Sequence, residues 1–114
     1  MRGEKNSFAY NLTKSAIASM ARTIAIDYAP FNIRCTAVCP GTIDTPLYRK
    51  AISNAAQLNN LQLEEIHKEE CEMQLLKRLG TSMEVAELIN FLCSDKCGYI
   101  TGSLHVVDGG YTTI

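Results

Sequence analysis

Ile33-Arg34-Cys35-Thr36-Ala37-Val38 runs directly into Cys39-Pro40-Gly41-Thr42-Ile43-Asp44-Thr45-Pro46. The first six residues read as a strand, and their apolar character on both faces suits a parallel strand covered by layers on either side. The loop that follows lies at the strand's carboxyl end, which is the ligand edge of an open α/β sheet. Pro40 stiffens the turn and Gly41 lets the backbone approach a ligand closely. Thr42, Asp44 and Thr45 offer hydroxyls and a carboxylate, and Ile43 offers its backbone N–H. The same stretch also reads as an ordinary strand-to-helix turn in which Asp44 or Thr45 caps the next helix.

Upstream lies a helix, 7–28, with Asn6 and Ser7 as its N-caps and Pro30 as its stop. Leu12, Ala16, Ile17, Met20, Ala21, Ile24, Ala25 and Tyr28 spread over roughly 220° of its circumference, so most of the helix is expected to be covered. Tyr10 and Lys14 stand four residues apart and share a face inside that arc. A nearby cation favours phenolate, and in a dry site Lys14 would lower the pKa of Tyr10 from about 10 toward neutrality, making it a general acid or base for a carbonyl or alcohol. The same pair is consistent with a phenol that reaches the surface and a lysine that snorkels outward. The small residues Ala16, Ala18, Ser19, Ala21 and Ala25 suit close helix pairing or simple helix filling. Asn32 marks a turn that tolerates the left-handed conformation.

Downstream, 47–79 is long, polar and uneven, and is expected to form one or two helices of an insertion at the ligand edge, a substrate lid spanning about 46–80. His67 and Cys71 share a helical face there and read as incidental. Thr81-Ser82-Met83-Glu84 is a capping box opening a helix striped by Val85, Leu88, Ile89 and Leu92. Asp95 to Gly98 ends it, Thr101-Gly102 turns into a strand from Leu104 to Val107, and Asp108-Gly109-Gly110 turns out of it. Strand, helix and strand in this order make a right-handed crossover and a parallel sheet. Two strands leave that sheet narrow, with edges it does not protect.

The 114 residues carry a formal net charge of -1 with both signs interspersed, which argues against a nucleic-acid footprint. The five cysteines are an odd number in a chain of ordinary composition and read as reduced residues of the cytoplasm. A zinc site drawn from Cys35, Cys39, Cys93, Cys97 and His105 lacks the usual close spacing, and no metal is expected. There is no signal-peptide pattern near Met1, and Arg22 and Asp27 interrupt the best candidate for a membrane span.

Together these residues resemble the short-chain dehydrogenase/reductase family along nearly the whole chain. Tyr10-x-x-x-Lys14 with Ser15-Ala16 looks like that family's active-site helix, and Pro40-Gly41-Thr42-Ile43-Asp44-Thr45 like its nicotinamide-side loop. Arg78-Leu79-Gly80, Glu84-Val85-Ala86, Phe91-Leu92, Ser94-Asp95, Tyr99-Ile100-Thr101-Gly102 and Val107-Asp108-Gly109-Gly110 resemble its C-terminal signature in order and spacing. The resemblance implies an α/β fold, the C-terminal part of a Rossmann-like doubly wound parallel sheet occupying 1–114. It further implies an NAD(P)-dependent oxidoreductase for a small alcohol or carbonyl, with NAD or NADP as cofactor. Tyr10 and Lys14 would be catalytic; Tyr10, Lys14, Pro40, Gly41, Ile43 and Thr45 would bind the cofactor. Lys14 would hold the ribose hydroxyls, while the Ile43 backbone and the Thr45 hydroxyl would meet the carboxamide. Thr36 departs from the family, which often has Asn there. The glycine-rich phosphate loop, the ribose selector, the Asn-Ala-Gly segment and the catalytic Ser have no counterpart in these residues, so the chain alone is expected to be inactive. The competing expectation is a non-enzymatic, truncated interaction module, a homo-oligomer formed through helix 7–28 or a complement to an N-terminal half.

Overall fold

The parallel pairing of two short strands sets the local geometry. The computed structural model describes residues 8–113; Asn6 and Ser7 lie outside the described residues, as does the side chain of Tyr10. Strand β1, Ala37–Pro40, pairs with β2, Leu104–Val107. Ala37 N–H donates to Ser103 O at 3.0 Å and Gly41 N–H to Val107 O at 3.0 Å, so partner numbers rise in step along the chain, the parallel sense. Successive N–H groups of a strand point to opposite sides, which turns the nitrogen of Pro40 away from β2, where its missing proton breaks no ladder bond.

Among the described residues four helices accompany the strands: α1, Phe8–Tyr28; α2, Pro46–Asn59; α3, Leu63–Glu72; and α4, Ser82–Leu92. The described residues group into two compact units, one taking the chain up to Cys39 with Leu88–Val106, the other Pro40–Glu87 with Val107 onward.

In the first unit α1 ends as Pro30 enters a single 3-10 turn, Ala29–Phe31. Asn32 follows at φ 58°, its N–H donating to Ala29 O at 3.0 Å, as the turn reading expected. Ala21 and Ala25 are buried one turn apart, and Gly102, at φ +69°, packs where an added Cβ would lie 3.6 Å from that of Ala25. The small residues of α1 therefore receive a glycine turn. The broad covered arc expected for this helix is not found: Leu12, Ile17, Met20 and Tyr28 are exposed. Periodicity identifies which residues are apolar; what covers them is a matter of tertiary contact.

The expected strand 33–38 is also shifted, to Ala37–Pro40. Ile33 N–H still serves the end of α1, donating to Tyr28 O at 3.3 Å. Arg34 is committed elsewhere: its guanidinium donates to Leu92 O at 2.9 Å, Ile100 O at 3.1 Å and Ser94 O at 3.4 Å. These include carbonyls at and just beyond the end of α4, which lack an intrahelical donor and carry the negative end of the helix dipole. Cys97, 3 % exposed, turns its thiol toward Phe91 O at 2.8 Å and Leu92 O at 3.2 Å. Nor is β1 covered on both faces; its residues are half-buried or exposed, as befits a sheet of two strands.

In the second unit Thr45 caps α2 with Pro46 in its first turn, Thr45 Oγ1 accepting from Tyr48 N–H at 3.2 Å. Asn60, at φ 52°, closes α2, and α3 follows, so the polar stretch holds two helices. Ile52, Leu79 and Gln74 are the buried side chains of this unit. The capping box forms as read: Thr81 N–H donates to Glu84 Oε2 at 2.9 Å and Glu84 N–H to Thr81 Oγ1 at 3.2 Å.

Charge-assisted hydrogen bonds to carbonyls are worth about 1.5–3 kcal/mol. Arg34→Leu is therefore expected to destabilise the chain by about 2 kcal/mol in urea unfolding. Hydrogen exchange should quicken first at the amides around the end of α4.

Candidate active site

The loop leaving β1 is braced on two sides. Gly41 approaches the turn after β2 so closely that a Cβ on it would lie 2.8 Å from both Cα and Cβ of Asp108. No side chain fits there without moving backbone. Asp108 in turn organises its own turn, accepting from Gly110 N–H at 2.9 Å, Thr112 N–H at 2.9 Å and Thr112 Oγ1 at 2.7 Å. Burial pushes the Asp108 pKa upward, yet the bonds from Thr112 and Gly110 outweigh it and leave the net shift downward.

On the other side Gly80 N–H donates to Thr42 O at 3.1 Å, and Asp44 N–H to Gly80 O at 2.9 Å. Ile43 and Gly80 thereby form an isolated parallel bridge. The bonds of such a bridge come from the residues flanking Ile43, so the N–H of Ile43 itself points away from Gly80. It makes no backbone hydrogen bond among the described residues. Thr45, in extended conformation at φ -131°, accepts a proton as the cap of α2 and keeps its own O–H to donate. The Ile43 N–H and the Thr45 O–H are thus two donors that this segment leaves for another acceptor. Asp44 pairs with Arg49 through Oδ2, while its Oδ1 is buried without a partner among the described residues.

Of the other residues proposed from the sequence, Pro40 is exposed at the end of β1. Lys14 lies on α1 in the first unit and is exposed, so the dry setting expected for its ammonium is not provided by the described residues. Tyr10 lies in the backbone of α1, and its side chain is outside the described residues.

Two polar features went unread in the sequence. Arg78 grips Glu84 with both ends of its guanidinium, at 2.9 Å and 2.7 Å. Arg78, and then the Thr81 N–H, bring the Glu84 pKa down to about 2. The pair flanks a hollow of about 100 Å³ that Thr42, Ile43, Leu76 and Asp108 also line. That is below the roughly 300–1,000 Å³ of ligand clefts, and we treat it as a packing gap. The second feature joins Tyr48 to His67 between α2 and α3; the only sequence signal was the shared helical face of His67 and Cys71.

The family model described as enoyl-(acyl carrier protein) reductase matches residues 1–112. A short-chain dehydrogenase family protein from Francisella tularensis superposes with a TM-score of 0.95 at 45% identity, over 98% of this chain and 46% of that one. The chain belongs to the short-chain dehydrogenase/reductase family. Its parallel sheet and helices match the Rossmann-like part of such structures. Among curated members, the 2-keto-3-deoxy-L-fuconate dehydrogenase of Xanthomonas campestris is 35% identical over 112 residues, 98% of this chain and 36% of the relative. The L-sorbose reductase of Gluconobacter frateurii, solved in complex with NADPH and L-sorbose, is 31% identical with a TM-score of 0.85, over 92% of this chain and 40% of that one. The chain thus spans less than half the length of these members of the family.

A carboxyl whose folded pKa is lowered contributes stability that is present above its unfolded value and lost as pH falls through the folded one. For Glu84 that window runs from about 4.5 down to about 2. The difference in Tm between the native chain and Glu84→Gln is therefore expected to be constant above the window and to close within it, as measured by thermal melts across pH.

Proposed function

We propose that this chain supplies the proton-transfer residues and the nicotinamide-side loop of an NAD(P)-dependent oxidoreductase that interconverts a carbonyl and an alcohol. The observation that carries the reading is the pair of donors after β1, Ile43 N–H turned away from Gly80 and the Thr45 O–H left to donate. They fit the carboxamide of a nicotinamide, and Pro40 and Gly41 set the path of the loop that presents them. The cofactor, NAD or NADP, supplies the hydride chemistry when bound. Tyr10 exchanges a proton with the substrate oxygen at its phenol, and Lys14 donates to the ribose hydroxyls while its charge favours the phenolate. Because Lys14 is exposed here, its leverage over Tyr10 depends on water being displaced when cofactor and substrate bind. The helices of 46–80 serve as the lid over the substrate, a small alcohol or carbonyl compound.

Residues 1–114 contain no glycine-rich phosphate loop and, in this reading, turn over no substrate by themselves. The test joins them behind the N-terminal part of the Gluconobacter L-sorbose reductase and assays the chimaera with NADPH and a panel of ketoses. Activity is expected, with Tyr10→Phe lowering kcat by at least about 100-fold. A folded chimaera that is inactive, or indifferent to Tyr10→Phe, overturns the assignment, as does Tyr10-dependent turnover by residues 1–114 alone for their inactivity.

A second reading, a non-enzymatic module that dimerises through helix 7–28, is favoured by the exposed Leu12, Ile17 and Met20. It expects residues 1–114 to sediment as a dimer that Met20→Glu dissociates. A monomeric native chain removes it.

A further inference from the structure

The hairpin of α2 and α3 carries a cluster for which the oxidoreductase reading has no use. Tyr48 Oη lies 2.9 Å from His67 Nδ1, and the rings pack at a centroid distance of 5.9 Å. The other imidazole nitrogen, Nε2, lies 3.7 Å from Cys71 Sγ, one helical turn further along α3. All three residues are half-buried and belong to the second unit. In a neutral imidazole one nitrogen donates and the other accepts. In the tautomer that donates Nδ1–H to the Tyr48 oxygen, the one the proposal below uses, the lone pair of Nε2 faces the thiol. Burial, and then the charge of Glu70, raise the Tyr48 pKa, so the phenol stays neutral and does not compete as a base. A nucleophile beside a base that a third group orients is the arrangement that activates serine and cysteine nucleophiles.

We propose that Cys71 is a redox-modifiable thiol that exchanges with small disulfides, with His67 as its base and Tyr48 as the residue that positions His67. Cys71 Sγ attacks one sulfur of the incoming disulfide while His67 Nε2 takes the thiol proton. The new bond joins Cys71 Sγ to that sulfur and the incoming S–S bond breaks. The departing thiolate takes the proton back from His67. Cys71 ends oxidised as a mixed disulfide, and the other half of the incoming disulfide ends reduced as a free thiol.

The other thiols supply an internal comparison. Cys93 is exposed, Cys35 and Cys39 are half-buried and Cys97 is buried. Exposure alone ranks Cys93 first, whereas the proposal ranks Cys71 first. The experiment treats the 114-residue chain with limiting oxidised glutathione at neutral pH and follows each cysteine by peptide mass spectrometry. Cys71 is expected to react about tenfold faster than Cys93, and His67→Gln to remove that advantage while leaving the Cys93 rate unchanged. The side chains whose charges act on Tyr48 are Glu70, Cys71, Asp44 and Arg49, while His67 is its hydrogen-bond partner. Raising the pH supplies hydroxide in place of the missing base and is expected to bring the Cys71 rate of His67→Gln back to the native rate. Tyr48→Phe should give an intermediate rate that recovers in the same way. The proposal is overturned if Cys93 reacts first in the native chain, or if Cys71 keeps its lead in His67→Gln. A deficit in His67→Gln that persists at high pH also overturns it, because that marks lost packing and not a lost base.

Discussion

The approach of Gly41 to Asp108 is the constraint on which the candidate loop depends. Parallel strands carry no hairpin to set their register, so the alignment must come from contacts along the ladder and just beyond it. Here the Gly41 N–H reaches Val107 O, and the backbone of Gly41 lies against Asp108 with no room for a side chain. Asp108 is held in turn by Gly110 and Thr112. A slip of one residue would bring a side-chain-bearing residue, Pro40 or Thr42, to that position. The direction of the Ile43 N–H, and with it the reading of the loop as a nicotinamide contact, rests on this register and on the bridge to Gly80.

Few large apolar side chains are buried among the described residues, and charged groups placed at element ends carry much of the local order. Arg34 takes up carbonyls at the end of α4, and Glu84 accepts both from the N-terminal backbone of that helix and from Arg78. Thr45 accepts from the first-turn backbone of α2, beside the Arg49–Asp44 ion pair. Each joins a side chain to backbone groups or partners that a helix terminus leaves unsatisfied. Such contacts are directional, so they define where each element stops more sharply than a small core does.

Local chemistry was legible along the chain. Pro30 and Asn32 stop α1, Thr45 caps α2, the Thr81–Glu84 box opens α4, and β2 lies where its apolar run placed it. Each of these depends on residues within about four positions, which is the range over which backbone hydrogen bonds and capping side chains act. The start of β1 was misplaced because Arg34 answers to carbonyls near residues 92–100, far along the chain. The cover of α1 is narrower than its periodicity implies for a related reason, since Ala25 meets Gly102 while Leu12, Ile17 and Met20 are exposed.

Residue order alone settles the alternation of strand and helix, the parallel sense implied by a helical crossover, and the family that the motifs resemble. The first two follow from periodicity and turn residues, and the family from the resemblance of the ordered motifs to its known members. Packing between elements sets the rest: the Ile43 N–H faces away from Gly80, Arg34 serves α4, and Tyr48, His67 and Cys71 meet across α2 and α3. Direction and proximity between distant residues depend on how elements pack, and a pattern of residue types carries no record of which neighbour each element finds.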